Sequence, residues 1–144
     1  MKKFLLPLIA LVMLLAGCSE KARVITSYYT VQPNKWQLAT AVDGSGNLYV
    51  DYAYSTWENI DITPEVIDNG VVLVYMIDQD GRDNLLPYTF YFTDPTGKNY
   101  QERFEFDVQT GLITFKFKDS DFNTTQSLQN IGTLEFKVSV IGNF

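Results

Sequence analysis

The amino-acid sequence predicts an all-β protein, an antiparallel β-sandwich of about eight strands with one short helical turn, behind an N-terminal signal peptide. Three observations predict it. Several segments alternate apolar and polar residues, clusters of Asp, Asn and Gly separate those segments, and the chain opens with charged, then apolar, then small residues. Together they indicate one β domain that follows a segment removed on export.

Alternation with a period of two is clearest in segments 112–118 and 133–140, where large apolar side chains take every second position. Such alternation is typical of strands that bury one face. Segment 100–106 alternates in the same way with one exception, because Glu102 breaks its aromatic side. These three segments predict half-buried strands of an antiparallel sheet.

Three further segments are rich in apolar or aromatic residues. Segment 71–77, VVLVYMI, is apolar on both sides, which predicts a central strand covered on both faces. Segments 47–54 and 87–93 are aromatic-rich and predict two more strands. Pro87 places the start of the second one at a sheet edge or a bulge, because proline cannot donate to a β-ladder.

The connections carry turn residues. Asp, Asn and Gly cluster between the predicted strands, in segments 43–47, 78–84, 94–99 and 107–111. One stretch predicts a helical turn instead, since Thr63 fits the cap, Pro64 the first helical position and Gly70 the residue after the end. These patterns leave the order of the strands open.

The first residues have the composition of a secretory signal peptide. Lys2 and Lys3 precede an apolar stretch, residues 4–16, and two small residues lie just before Cys18. A helix that spans a bilayer needs about 20 apolar residues, and this stretch is shorter. The segment therefore predicts an export signal rather than a membrane-spanning anchor.

The four residues Leu15-Ala16-Gly17-Cys18 resemble the lipobox of bacterial lipoproteins. The resemblance implies that a diacylglycerol joins the Cys18 thiol, that the chain is cut before Cys18, and that the new amino terminus is acylated, for example with palmitate. Two or more acyl chains anchor a protein durably, since each buried methylene adds about 0.8 kcal/mol. The implied boundaries are 1–17 for the removed signal peptide, 18–23 for the lipidated cysteine and a short tether, and 24–144 for a single β-sandwich domain.

Composition excludes several kinds of active site. The chain has no histidine and one cysteine, so it contains no Ser-His-Asp or Cys-His triad and no zinc site of the usual Cys/His type. Loss of Lys2 and Lys3 with the signal peptide lowers the basic count from 11 to 9 against 17 acidic residues, a net charge of −8. Such a charge repels phosphate backbones. The sequence predicts no cofactor and no nucleic-acid partner.

Segment 60–92 resembles part of a group of small uncharacterised lipoproteins of Bacteroidetes. It contains ITPEVIDNGVVLVYM followed by LPY, and the group shares a Thr-Pro or Thr-x-Glu turn, an Asn-Gly, a Val-rich strand and a Leu-Pro-Tyr. The resemblance implies an outer-membrane location, with no known activity or site residue. Ser19 after the cysteine agrees with release to the outer membrane, while Glu20 alone is a weak signal for surface export. Periplasmic-facing and surface-exposed placements both stay open.

Two acidic turns invite comparison with calcium loops. The first ligand positions of an EF-hand-type loop are matched by Asp119, Asp121 and Asn123. Thr124 then occupies the position of the required glycine and Asn130 that of the required glutamate. The turn 78–83 has its glycine in the wrong place for such a loop. The sequence therefore predicts no metal site.

Aromatic side chains make a sugar-binding surface an open alternative. The chain has 9 Tyr and 2 Trp, and flat aromatic faces can stack against sugar rings. The candidate ligand-binding residues are Trp36, Trp57 and Tyr54. Tyr52 and Tyr54 share a strand face with Leu48 and Val50 in a strict period of two, which argues that they belong to the core. Trp57 lies in a loop-like stretch and is the better surface candidate.

The functional expectation is a lipid-anchored protein of the cell envelope, attached to the membrane through Cys18. The first hypothesis is a non-enzymatic accessory protein that binds another envelope protein. The alternative is a surface module that binds a glycan or another ligand. A carboxylate-dependent hydrolase is the least favoured, because no pair of carboxylates stands out by spacing.

Overall fold

The computed structural model describes residues 22–121 and 124–142. Within these ranges the chain is mostly β, with 59% of residues in strands, and all strand pairs are antiparallel. The strands are β1 (Arg23–Val31), β2 (Gln37–Val42), β3 (Leu48–Glu58), β4 (Val71–Ile77), β5 (Asp83–Leu85), β6 (Tyr88–Thr93), β7 (Asn99–Gln109), β8 (Leu112–Asp119) and β9 (Leu134–Gly142). The helices are α1 (Pro64–Asn69) and α2 (Thr124–Ile131), and a 3-10 turn spans Pro33–Lys35.

The strands form two sheets, neither of which closes on itself. The four-stranded sheet has the order β1-β9-β4-β5 and the five-stranded sheet the order β2-β3-β8-β7-β6. This arrangement confirms the predicted all-β antiparallel sandwich. The predicted lipidation site, Cys18, and the predicted signal peptide lie outside the described residues.

The core lies between the inner faces of the two sheets. Phe104, Phe115 and Phe117 come from the five-stranded sheet and Phe136 from the four-stranded sheet, and all four are buried. The rings of Phe115 and Phe136 stack across the interface, with centroids 4.1 Å apart and planes 9° apart. Burial of such side chains supplies most of the driving force for folding.

The predicted helical turn is confirmed as α1, and its ends follow the capping rules. Thr63 Oγ1 accepts a hydrogen bond from the Val66 backbone N–H at 3.2 Å, and Pro64 occupies the first helical position. Gly70 ends the helix by donating its N–H to the Val66 carbonyl at 2.9 Å. A Cβ at Gly70 would lie 2.6 Å from the carbonyl oxygen of Ile141, so only glycine fits between α1 and β9.

Three of the predicted turns have one and the same structure. In segments 43–47, 78–82 and 94–98, the first residue is an aspartate whose Oδ1 accepts backbone N–H bonds from the third and fifth residues, at 2.8 to 3.0 Å. The fourth residue is a glycine with positive φ, between 76° and 87°. The Asp-x-x-Gly-x pattern therefore encodes these hairpin connections through the aspartate side chain and the left-handed glycine.

Two expectations about the elements need correction. Segment 71–77 does form an inner strand, β4, but only Val74 and Met76 are fully buried, and Val71 is 50% exposed. Its second face points outward and is only partly covered. The second helix, α2, was not predicted, although Gly132 directly follows its last residue, has a positive φ of 78° and donates its N–H to the Leu128 carbonyl at 3.2 Å. The position of β6 at the sheet edge, just after Pro87, agrees with the prediction.

The ends of β1 lie at opposite ends of the four-stranded sheet. Arg23 pairs with Gly142 at the last residue of β9, whereas Val31 pairs with Leu134 at its first residue. The chain therefore enters the sandwich at one end of this sheet, and β9 begins at the other. Among the described helices, none is long and apolar enough to cross a membrane.

Candidate functional site

A cavity of about 790 Å³ opens at the end of the sandwich where β9 begins. We call it the aromatic cleft and define it by its floor on the five-stranded sheet. The floor residues are Phe90 and Phe92 of β6 with Tyr100, Glu102 and Phe104 of β7. The opposite wall comes from the end of β4, the turn that follows it, the last residues of α2 and the start of β9. The cleft thus lies between the two sheets rather than on an outer face.

Strand register explains why aromatic side chains gather on this floor. Phe90 pairs with Glu102 and Phe92 with Tyr100, so these four side chains share the inner face of two neighbouring strands. The rings of Phe92 and Tyr100 stack with centroids 5.2 Å apart, and Phe90 meets Phe104 edge-on at 6.0 Å. Phe92 remains 39% exposed. The floor is therefore a preformed aromatic surface that solvent reaches.

Glu102 is the charged residue of this floor. It lies between Phe90 on β6 and Asp119 on β8, and only 8% of it is exposed. Burial raises the pKa of the Glu102 carboxyl, and the charge of Asp119 raises it further, while a hydrogen bond with Ser127 acts in the opposite direction. The ionised form of Glu102 is consequently held in an unfavourable environment.

Asp119 belongs to the support of the cleft rather than to its surface. Ser127 Oγ of α2 donates to Asp119 Oδ2 at 2.5 Å, and the Asp121 backbone N–H donates to Oδ1 at 2.6 Å. Asp119 is 2% exposed and does not line the cavity. The structure thus brings two carboxylates, Glu102 and Asp119, to paired positions on neighbouring strands, and only Glu102 faces the cleft.

The electrostatic environment of the cleft is negative. Burial is the main cause that raises the pKa of the Tyr100 hydroxyl, and four carboxylates add to it. The basic residue of this region, Lys98, forms an ion pair with Asp121 at 2.9 Å. Three more acidic residues stand on the opposite wall, Asp78, Asp80 and Glu135. The site therefore combines an apolar aromatic floor with an excess of carboxylates.

The two tryptophans that the sequence singled out face inward. Trp36 is 9% exposed and meets Phe136 edge-on at 6.5 Å. Trp57 lies in β3, packs partly buried against the core, and donates from Nε1 to Ser55 Oγ at 2.9 Å. The expectation that Trp57 lies at the surface in a loop is therefore wrong.

Tyr54 faces outward, contrary to the core position expected for it. Its hydroxyl donates to Gln37 Oε1 at 2.8 Å, and its ring centroid lies 6.1 Å from that of Tyr52. Lys116 Nζ stands 5.5 Å from the centroid of Tyr52. We call this set the tyrosine face: Gln37, Tyr52, Tyr54 and Lys116 on the outer surface of the five-stranded sheet.

The acidic turns use their carboxylates within their own loops. Asp78 accepts hydrogen bonds from the backbone of Asp80 and Arg82, and Asp119 is engaged as described above. Asn123 lies outside the described residues. Across the part of the chain that the structure describes, no three acidic side chains are placed to hold a metal ion.

Sequence reasoning missed the cleft, although one signal for it was present. Glu102 interrupts the aromatic side of its strand, and an acidic residue on a buried strand face needs an explanation. What the sequence does not show is that β7 lies between β6 and β8. This order brings the phenylalanines of β6 and Asp119 of β8 next to Glu102 of β7. The site depends on strand order, which periodicity alone does not give.

Comparisons with protein-family models, with curated proteins and with solved structures give no match to this chain.

Proposed function

We propose that this chain is a lipid-anchored binding protein of the bacterial cell envelope, and that it binds a ligand with an apolar or aromatic body in the aromatic cleft. The observation that carries the proposal is the cleft itself, about 790 Å³ in volume with four aromatic rings on its floor. Small-molecule sites are typically concave, mostly apolar and about 300–1,000 Å³ in volume, with few polar groups. This cleft has such a volume and an apolar aromatic floor, and its opposite wall adds polar and acidic groups.

The pairing of Glu102 with Asp119 favours binding over hydrolysis at these two residues. Glycoside hydrolysis uses two carboxyl groups that flank the scissile bond, about 5 to 10 Å apart. Here Glu102 lines the cleft, while Asp119 is buried beneath it and held by Ser127. A bound substrate would meet one carboxylate of this pair, so the pair serves a binding site better than a hydrolytic one.

The location in the envelope is part of the proposal and is supported by the sequence. The lipobox before Cys18 supports attachment through lipid, and the resemblance of segment 60–92 supports the outer membrane. An envelope protein that receives or supplies the ligand is the proposed partner. Whether the domain faces the periplasm or the cell surface is for protease accessibility in whole cells to decide.

The test uses a neutral aromatic probe and two neighbouring residues on opposite faces of β6. Full-length protein in lipid nanodiscs is titrated calorimetrically with tryptophol, with empty nanodiscs as the blank. Phe92→Ala removes a ring from the floor and should weaken binding about tenfold, as expected for loss of one buried aromatic contact. Tyr91→Ala is the matched control, because Tyr91 points to the other face and is 75% exposed.

Binding that falls with Phe92→Ala and stays constant with Tyr91→Ala supports the proposal. Equal affinities for the wild type and Phe92→Ala would place the ligand elsewhere and overturn it.

The tyrosine face supports a second candidate, a glycan-binding surface. Two adjacent outward rings with an amide and an ammonium group beside them match the groups that sugars contact. Under this alternative, Tyr52→Ala and Tyr54→Ala abolish retention on immobilised glycans, whereas Phe92→Ala retains it. The opposite pattern rejects the tyrosine face.

A further inference from the structure

We propose that the aromatic cleft selects organic cations, with Glu102 receiving a protonated amine whose aromatic or alkyl body lies on the ring floor. This inference rests on the proposed function and names the chemical class of its ligand. It follows from three features of the cleft: an uncompensated buried carboxylate, aromatic faces beside that carboxylate, and an excess of negative charge on the opposite wall.

The Glu102 carboxylate has no cation within the described chain. Six basic side chains of residues 22–121 and 124–142 form ion pairs, and each has a carboxylate other than Glu102 as its partner. Lys98, which lies in the same region, pairs with Asp121. The Ser127 hydroxyl lies between the two carboxylates, donating to Asp119 and lowering the pKa of Glu102, but a hydroxyl carries no positive charge. The charge of Glu102 is therefore left for a group from outside the chain.

Burial makes that missing cation important. Glutamate is rarely buried without a partner, because the charged form loses its hydration. Glu102 is 8% exposed and stands next to a second carboxylate, Asp119. A ligand ammonium would relieve both the desolvation and the repulsion, and hydrogen bonds between charged groups are about twice as strong as neutral ones.

The aromatic floor of the cleft also favours a ligand ammonium group. An ammonium within about 6 Å of an aromatic centroid is attracted to the face of the ring. On this floor, Phe90 is the cross-strand partner of Glu102, and Tyr100 lies two residues before Glu102 on β7. The body of an aromatic amine would then lie over Phe92, which is partly exposed. One ligand with a cationic end and an apolar body thus satisfies the carboxylate and the floor together.

Charge on the opposite wall adds selectivity. Asp78, Asp80 and Glu135 line the cleft across from Glu102, and α2 contributes no charged residue to it. Asp80 pairs with Arg82 at 3.5 Å, whereas Asp78 and Glu135 have no ion pair among the described residues. An anionic ligand would meet repulsion from both walls. The cleft therefore discriminates by sign of charge among ligands of the same shape.

The experiment compares three indoles that differ only in the group at the end of a short side chain. Tryptamine is cationic, tryptophol neutral and indole-3-propionate anionic at neutral pH. Each is titrated calorimetrically into full-length protein in nanodiscs, with empty nanodiscs as the blank. We expect tryptamine to bind about tenfold more tightly than tryptophol, as for one added charge-assisted hydrogen bond, and indole-3-propionate to bind most weakly.

Glu102→Gln removes the charge and keeps the size. We expect it to weaken tryptamine about tenfold and to leave tryptophol within about twofold. Glu105→Gln is the matched control, because Glu105 lies on the same strand but faces outward in an ion pair with Arg103 at 2.5 Å. It should change the affinity of none of the three probes.

The outcomes separate the inference from the proposed function. If tryptamine and tryptophol bind equally and Glu102→Gln changes neither, the cation selectivity is overturned, while the cleft stands as a site provided Phe92→Ala weakens both. If no indole binds at millimolar concentration, both are overturned.

A pH series on the unmodified protein provides a second readout. Tryptamine affinity should fall as pH is lowered through the pKa of Glu102 and tryptophol affinity should not. The titratable groups that face Glu102 from the elements around the cleft are Asp119, Tyr100, Asp78, Asp80 and Glu135. Equal pH profiles for both probes would contradict the inference.

Discussion

At the scale of single residues, the charge of Glu102 is expected to lower the stability of the fold and to strengthen the proposed binding of a ligand. Its carboxyl is buried beside Asp119, and both effects raise its pKa. Residues kept in an unfavourable state often serve a site rather than the fold. Replacing the charge should therefore help the folded state while it harms the ligand site.

Glu102→Gln should raise the free energy of unfolding at neutral pH by about 1 kcal/mol, because the neutral amide loses less on burial than a carboxylate. For a chain of this size that corresponds to a Tm higher by about 2–5 °C. Differential scanning calorimetry of the wild type and the variant measures the difference. Glu105→Gln removes a partly exposed ion pair and should shift Tm little. A lower Tm for Glu102→Gln would show that the carboxylate stabilises the fold.

The pH dependence of that difference has a definite sign. The pKa of Glu102 is raised above its ordinary value of 4.5, so between the unfolded and the folded pKa the native state holds more protons. The destabilising effect of Glu102 is therefore absent at low pH and develops as pH rises through the folded pKa. Asp43, Asp78 and Asp94 act in the opposite sense, since hydrogen bonds lower their pKa values and their contribution is lost as pH falls.

At the scale of elements, close contacts between backbones set the sharpest limits. Gly70 joins α1 to β4 beneath β9, and a Cβ there would meet the Ile141 carbonyl at 2.6 Å and the Val66 Cα at 2.9 Å. Backbone atoms cannot move aside as a flexible side chain can. The junction depends on the absence of a side chain rather than on an unusual φ, which is −102°.

Gly70→Ala should lower the free energy of unfolding by about 1–3 kcal/mol, the usual effect of overpacking. Gly44→Ala is the matched control, because nothing lies within 4 Å of a Cβ at Gly44. It should leave stability unchanged or slightly raised, since alanine restricts the unfolded chain. Urea unfolding of both variants gives the comparison. Equal midpoints would show that α1 shifts away from β9 at little cost.

The elements also show where a sequence pattern carries over to structure and where it does not. Period-two alternation predicted β7, β8 and β9, because their outer faces are solvated. The pattern failed in β3. There the register with β2 shifts between Ala39 and Thr40, so Asp51 has no residue opposite it on β2. Such a bulge reverses the alternation, so Tyr52 and Tyr54 no longer share a face with Leu48 and Val50. A one-residue irregularity of this kind leaves no mark in the sequence.

At the scale of the whole molecule, the tether and the sandwich have separate tasks. Residues 19–23 span at most about 18 Å when extended, so the proposed lipid on Cys18 would hold the sandwich close to its membrane. The described part of the chain contains no membrane-spanning helix.

Cys18→Ser should move the protein from the membrane fraction to the soluble fraction and abolish labelling with radioactive palmitate, because serine carries no thiol for the diacylglycerol. Fractionation of cells that express either form measures both effects. Ser19→Ala is the control and should retain membrane attachment. Membrane retention of unlabelled Cys18→Ser would refute the lipid anchor.

The ends of the four-stranded sheet have a consequence for how a ligand would arrive. The chain enters at Arg23 beside Gly142, and the cleft opens where Leu134 pairs with Val31. The length of β1 separates these ends by about 27 Å. If the proposed lipid on Cys18 anchors the chain, the mouth of the cleft would lie at the end of the sheet farther from the tether. A compound dissolved among the lipid chains would then be out of its reach, and a water-soluble amine would arrive through the aqueous phase.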